Sequence, residues 1–315
     1  MILRNVSYRM VIVVVLFVGL APPSQVAGAG ARDLPGLVKA NGVTGGVILH
    51  LGCSDGHQTA SLYSNDSVIV HGLERDPRKV AAARVYLTEQ GLYGSVSVEQ
   101  HTGPLLPHAD MTVNLVLVHD TTLASTEEIM RVLVPQGIAY FWEAGQWRKE
   151  VKARPADIDE WTHFLHGADN NAVARDERVG PPRHLQWLAS PLWLRSHETP
   201  SGVQAMVTGA GRFFYIFDEG VIGVTDERLP DRWAIYARDA FNGKLLWKRS
   251  LKAWGWRQWG LDKWAGKDWT RVRAARVGVP ATNHRRLVVD GNRLYTTLSF
   301  DDPVSVLDAA SGEVH

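Results

Sequence analysis

All 12 tryptophans of this 315-residue chain lie at or beyond Trp142. So uneven a use of the largest side chain means that the two halves build their cores differently, and the fold is expected to change near that point. The length accommodates about two domains of roughly 100–200 residues each. Lys and Arg total 34 against 33 Asp and Glu, a formal net charge of +1, which excludes a polyelectrolyte binder and a long charged disordered tail. The single cysteine, Cys53, excludes an intramolecular disulfide and a cysteine-based zinc site.

The amino terminus reads as a secretory signal peptide over 1–31. Arg4 and Arg9 precede an apolar run from Met10 to Leu20, and the small residues of Val26-Ala27-Gly28-Ala29-Gly30-Ala31 follow. A bilayer span needs about 20 apolar residues, and Pro22 and Pro23 interrupt the run before that. An uncleaved anchor is the other reading. Cleavage is expected after Ala29 or Ala31, with an exported (periplasmic, cell-surface or secreted) mature chain and no membrane span after cleavage.

The first half alternates strand and helix. Val47 to Leu51 is an apolar run that ends in the glycine loop Gly52-Cys53-Ser54-Asp55-Gly56, with a helix start at His57. Ser67 to Leu73 is a second strand ending at Glu74, and Pro77 opens a helix with apolar residues at Val80, Ala83, Val85 and Leu87. Val96 to Glu99, Val113 to Val118 and Ile138 to Trp142 read as further strands, with a helix over Thr126 to Leu133. This order predicts a parallel sheet covered on both faces. Such a sheet binds ligands at the carboxyl ends of its strands, where a glycine loop offers backbone N–H groups and an acid on the next strand can hold ribose hydroxyls.

His50-Leu51-Gly52-Cys53-Ser54-Asp55-Gly56 resembles the first motif of class I S-adenosylmethionine-dependent methyltransferases. Leu106 to Val116 is similar to the stretch leading into their fourth strand, and Glu128 to Gly137 to the helix and turn before their fifth. The resemblance covers about Gly45 to Trp147. It implies an α/β, Rossmann-like fold of methyltransferase type over 40–147, and a cofactor cleft formed by Gly52, Ser54, Gly56, Glu74 and Asp120. It also marks departures. The family usually has an acid at the position of His50, a glycine at Ser54, and acids at Thr102 and Asn114. Lost carboxylates weaken a cationic cofactor's pocket, and an added Cβ crowds the loop. The domain is therefore expected to be a retained but degenerate fold, with Cys53 a small loop residue.

Lys149 to Asp159 lacks a strand pattern and reads as part of a linker over 148–160. The segment Trp161 to Asn171 follows. His163, His166 and Asp169 there are possible metal ligands by spacing, but a structural role is the stronger reading and no metal site is assigned. This stretch resembles the opening motif of propellers with pyrroloquinoline-quinone-type (PQQ-like) repeats. Val207 to Tyr215 and Val289 to Tyr295 both read strand, glycine turn, strand. Ile235 to Trp247 matches Val304 to His315 around a shared Asp-Ala-x-x-Gly turn. The resemblance to the quinoprotein repeat covers 161–315 and implies an all-β, incomplete PQQ-like propeller. A closed propeller has about four to eight blades, so about two repeats imply a sequence that continues beyond His315.

Between the copies, Trp254, Trp256 and Trp259 stand among Lys and Arg residues. They could bind a glycan, an anionic polymer or a protein partner, and no nucleic acid partner is expected. The other reading is an elaborated loop with solvated charges. Three functions follow: an exported binding or scaffold protein with a degenerate methyltransferase-like domain; a quinoprotein oxidoreductase using PQQ and calcium; and an S-adenosylmethionine-dependent methyltransferase. The quinone-dependent enzymes typically carry adjacent cysteines, which this chain lacks.

Overall fold

The computed structural model describes residues 33–178, 180, 185–190, 202–220, 232–255, 258–259 and 280–315. The leader expected at 1–31 and Trp256 lie outside the described residues.

The α/β unit begins with a helix that the sequence pattern does not announce. Helix α1 (Leu34–Ala40) has Asp33 as its N-cap, accepting from Gly36 N–H, and it buries Leu34, Leu37 and Val38. Strand β1 (Gly46–Leu51), helix α2 (His57–Ser61), strand β2 (Val68–Glu74) and helix α3 (Pro77–Glu89) follow. Pro77 fits the first turn of α3 because no intrahelical partner exists there for an N–H, and Asp76 caps the end through Arg78 N–H. Strands β3 (Val96–Gln100) and β4 (Val113–Val118), helix α4 (Thr126–Val132), and strands β5 (Leu133–Glu143) and β6 (Gln146–Val151) complete the unit.

The sheet order is β3-β2-β1-β4-β5-β6, with β1 to β5 parallel and β6 antiparallel. This is a mixed, mainly parallel Rossmann-like sheet, and the order reverses between β1 and β4. One face packs Ile48, Val70, Leu115 and Leu117 against α1 and α3; the other packs Leu49, Leu51, Leu73 and Val116 against α4.

Strand β6 replaces the first part of the expected linker. Arg148 and Glu150 point outward and pair with each other, while Trp147 beside them is fully buried. Read along the sequence, those charges hide a strand.

The described residues of the second half form two antiparallel sheets. The first has four strands in the order β10-β9-β8-β7, formed by β7 (Val203–Gly209), β8 (Arg212–Asp218), β9 (Trp233–Asp239) and β10 (Leu245–Ser250). The second is β11 (Leu287–Asp290), β12 (Arg293–Thr297) and β13 (Val304–Asp308). Their apolar faces share one core containing Val207, Phe214, Ile235, Val289, Leu294 and Leu307. The segment at Trp161 and Thr162 links both sheets: Trp161 N–H bonds Thr208 Oγ1, and Thr162 C=O accepts from Val289 N–H.

The two Asp-Ala-x-x-Gly turns fold alike in their backbone. Asp239 Oδ1 accepts from Phe241 and Asn242 N–H, and Asp308 Oδ1 from Ala310 and Ser311 N–H. In each turn the glycine adopts a left-handed φ, +73° at Gly243 and +74° at Gly312. A tryptophan covers each one. Trp247 of β10 bonds Ala309 C=O at 3.0 Å and packs on Gly312; Trp187 bonds Ala240 C=O at 3.3 Å and packs on Gly243. Trp187 thus does for the first turn what Trp247 does for the second.

A methyl group at Gly312 would lie 2.7 Å from Trp247 Cδ2, whereas one at Gly291 (φ +54°) meets nothing within 4 Å. Gly291→Ala should therefore cost only the left-handed conformation, about 1 kcal/mol. Gly312→Ala adds overpacking and should cost about 2–4 kcal/mol. Urea denaturation of the two variants measures the difference, and equal losses would show that the tryptophan contact carries no weight.

Candidate functional site

The carboxyl ends of β1, β2 and β4 bring Gly52, Ser54, Gly56, Glu74 and Asp120 into one region. Gly52 has φ +80°, and a Cβ there would sit 2.8 Å from Asp120 Cβ, so β1 turns away directly against the end of β4. Gly56, at φ +82°, caps α2 and packs so closely on Ala83 that a Cβ would lie 2.9 Å from that methyl. Ser54 holds a left-handed φ of +50° between them. That conformation suits glycine, and the serine keeps it while its N–H bonds Glu74 Oε2 at 2.9 Å.

Glu74 organises the loop. Its Oε1 accepts from Arg75 N–H at 2.9 Å and Asp76 N–H at 3.2 Å, and its Oε2 from Ser54 N–H. A carboxylate offers about four acceptor positions. Three are used by backbone amides, which leaves one on Oε2 for a ligand hydroxyl. Asp120 is half-buried, and its Oδ1 accepts from Thr122 N–H and Thr122 Oγ1–H. Arg75 reaches from the end of β2 past β1 to bond Thr122 C=O at 3.0 Å. Its guanidinium thus links the carboxyl end of β2 to the loop after β4. Thr122 stands on the rim of a hollow of about 630 Å³ lined also by Leu105, Ser125 and Glu127.

His50 and Cys53 lie beneath this surface. His50 is fully buried; its Nδ1 bonds Thr59 Oγ1 at 2.9 Å and its Nε2 bonds His119 Nδ1 at 2.8 Å. Burial, reinforced by the neighbouring His119, lowers its pKa to about 3. A neutral imidazole therefore stands where the resemblance implies an acid, and it ties α2, β1 and the end of β4 together. The ring of His119 packs edge-on against Trp147 at 4.9 Å between ring centroids. Cys53 Sγ packs under Gly72, and burial followed by the charge of Glu74 pushes its thiol up to about 12. It is no nucleophile at neutral pH.

The position of Asn114 is explained away from the cleft. It lies at the amino end of β4, with Oδ1 accepting from Val47 N–H at 2.8 Å and Nδ2 donating to Asp239 Oδ2 at 2.6 Å. The donor on an amide, absent from an ionised acid, faces a carboxylate of the repeat sheet.

Of the aromatic residues expected at a partner surface, Trp254 and Trp259 point inward. Trp254 and Trp259 are 4% and 9% exposed and pack with Trp233 in the repeat core. Their apolar area is better used there than in water. His163 and His166 have separate partners, Thr162 Oγ1 and Asp159 Oδ2. Among the described residues no group of three or more His, Cys, Asp or Glu side chains is arranged to hold a metal ion.

Sequence reasoning passed over a second histidine group. His71 Nδ1 and His108 Nε2 are 3.1 Å apart, and His101 is buried beside them. Burial lowers His71, and burial with the charges of His71 and Arg131 lowers His108 to about 4. No spacing in the sequence signals this, because the loop after β3 folds back to bring His108 to the sheet.

No family model matches this chain, and no curated protein matches it. Solved structures similar to it include an S-adenosylmethionine-dependent methyltransferase from Aquifex aeolicus, at 21% identity over 35% of this chain and 63% of that one, with a TM-score of 0.32. The YcgJ protein from Bacillus subtilis shares 21% identity over 34% of this chain and 48% of that one, with a TM-score of 0.29. The [4+2]-cyclase SpnF shares 22% over 38% and 49%, with a TM-score of 0.32. The matched region is thus about half the length of these structures.

Two outcomes follow from the buried groups. His50 and His108 are neutral in the folded chain and take up protons below about pH 6.5 when unfolded. Stability should therefore be full above that pH and fall as pH drops toward about 4, and denaturation at pH 7.5 and pH 5 checks the sign. Cys53 should resist a thiol reagent at pH 8 in the native chain and react once the chain is unfolded.

Proposed function

We propose that the α/β unit is a methyltransferase-type module that binds S-adenosylmethionine, or its nucleoside part, at the carboxyl ends of β1, β2 and β4. The observation that carries this reading is Glu74: buried at the carboxyl end of β2 and bonded by three backbone N–H groups, one of them from the glycine loop, with a fourth acceptor position by carboxylate chemistry. That is the acceptor a ribose hydroxyl needs. Glu74 would hold the ribose, and the loop from Gly52 to Gly56 would lie along the rest of the ligand with its backbone. When bound, the cofactor supplies an activated methyl group. Arg75 must leave Thr122 before a ligand can enter, so this side chain acts as a strap over the site.

A second reading is favoured by a different set of contacts. A neutral His50 stands where the resemblance implies an acid, and Arg75 reaches across to Thr122, so the site lacks one carboxylate and carries a cation, which disfavours a cationic ligand. On this reading the chain is an exported scaffold, with its repeat sheets forming blades of a PQQ-like propeller. The matched turns covered by Trp187 and Trp247 support the repeat architecture. Trp254 and Trp259 are buried and offer no stacking face to a quinone. No step is assigned to a quinone.

Ligand binding separates the two readings, because specific binding to the native state must stabilise it by about 2.7 kcal/mol at one hundred times Kd. S-adenosylmethionine should raise the melting temperature of the wild-type chain, and Glu74→Gln should abolish the shift. Arg75→Ala should keep or strengthen it. No calorimetric heat and no shift in either the wild type or Arg75→Ala would overturn the cofactor reading in favour of the scaffold.

A further inference from the structure

The two repeat turns differ in the source of the carboxamide that satisfies the aspartate's second oxygen, and the difference falls at the contact with the α/β unit. In the second turn, Asp308 Oδ2 receives a hydrogen bond from Asn292 Nδ2 at 2.6 Å. Asn292 belongs to the β11–β12 hairpin, and its C=O accepts from Ala309 N–H. The corresponding bond in the first turn runs from Ala240 N–H to Gly211 C=O. Gly211 therefore stands where Asn292 stands, and it has no side chain. Asp239 Oδ2 nevertheless receives a carboxamide at the same distance, 2.6 Å, from Asn114 Nδ2 of the α/β unit.

The surroundings are shaped for this exchange. Asn114 Oδ1 accepts from Asn242 Nδ2 of the turn as well as from Val47 N–H, and Asn242 Nδ2 also reaches Thr112 C=O at 3.0 Å. Ser67 Oγ donates to Leu246 C=O at 2.9 Å. A Cβ at Gly46 would collide with Asn114 Oδ1, and one at Gly45 would lie 2.8 Å from Leu246 Cδ2. Both glycines are thus required for close approach. Asp239 is 5% exposed, so its second oxygen needs a donor once water is excluded.

We propose that the amino-terminal edge of β1 and β4 is a docking surface for an Asp-x-x-Asn-Gly repeat turn, on which Asn114 supplies the carboxamide that the second repeat carries for itself at Asn292. The rule selects its partner. A turn whose hairpin has glycine at the Asn292 position accepts the α/β unit, whereas the Asp308 turn is already satisfied and offers Ser311 in place of Asn242. One α/β unit therefore docks, on the first repeat alone, with its ligand cleft at the opposite ends of the strands.

Asn114→Asp sets two carboxylates against each other. The exchange Asn114→Asp with Asp239→Asn reverses donor and acceptor and keeps the bonds inside the turn, since the amide oxygen introduced by the second substitution can still accept from Phe241 and Asn242 N–H. Hydrogen exchange of the whole chain reads the contact. Asn114→Asp should lower protection at 45–47 and 239–243 by about tenfold or more, as loss of one charged hydrogen bond implies, and the exchange variant should restore most of it. Asn292→Asp should loosen the Asp308 turn and leave 45–47 protected. Asn114→Asp with wild-type protection would overturn the proposal. So would an exchange variant no better than Asn114→Asp alone, whether or not the single variant folds.

Discussion

A buried carboxylate that must find donors organises this molecule twice. Glu74 draws three backbone N–H groups around itself and so sets the path of the glycine loop. Asp239 holds its own turn with one oxygen and the α/β unit with the other. An unpaired buried carboxylate is costly, so each acid fixes the position of its donors. The two anchors sit at opposite ends of the same sheet, the first at the carboxyl end of β2 beside β1 and the second at the amino ends of β1 and β4.

That arrangement separates the proposed ligand site from the contact with the repeat turn. Strand β4, which meets the repeat turn through Asn114, and strand β1, whose Val47 N–H holds Asn114, lead to His50, Gly52 and His119 at their other ends, away from the turn. The His50–His119 link joins β1 and β4 across the point where strand order reverses, with His50 held neutral by burial. A charged acid there would need a cation or solvent; a neutral imidazole in a fully buried site needs only Thr59 and His119.

Much of this was legible in the sequence where local chemistry dictates structure. The bounds of β4 match the apolar run from Val113 to Val118, Pro77 marks the start of α3, and the two Asp-Ala-x-x-Gly turns fold as a pair. What was hidden depends on distant partners. Helix α1 is short and contains Pro35 and Gly36, so its pattern is weak; its stability comes from burying Leu34 and Leu37. The charges of β6 conceal Trp147. Trp187 acquires its meaning only from Gly243, and Asn114 only from Asp239. Trp254 and Trp259 were legible as aromatics that could face a partner or fill a loop, but their burial with Trp233 was not.

The central claim is that the cleft built on Glu74 takes a nucleoside cofactor while the opposite edge stays docked. Amide chemical-shift mapping with S-adenosylhomocysteine tests it most directly, because one titration reports on both ends of the sheet. The account predicts saturable shifts at Ser54, Gly56 and Arg75 with none at Val47 or Asn242. Shifts confined to Val47 and Asn242, or no saturable shift at the glycine loop, would contradict it.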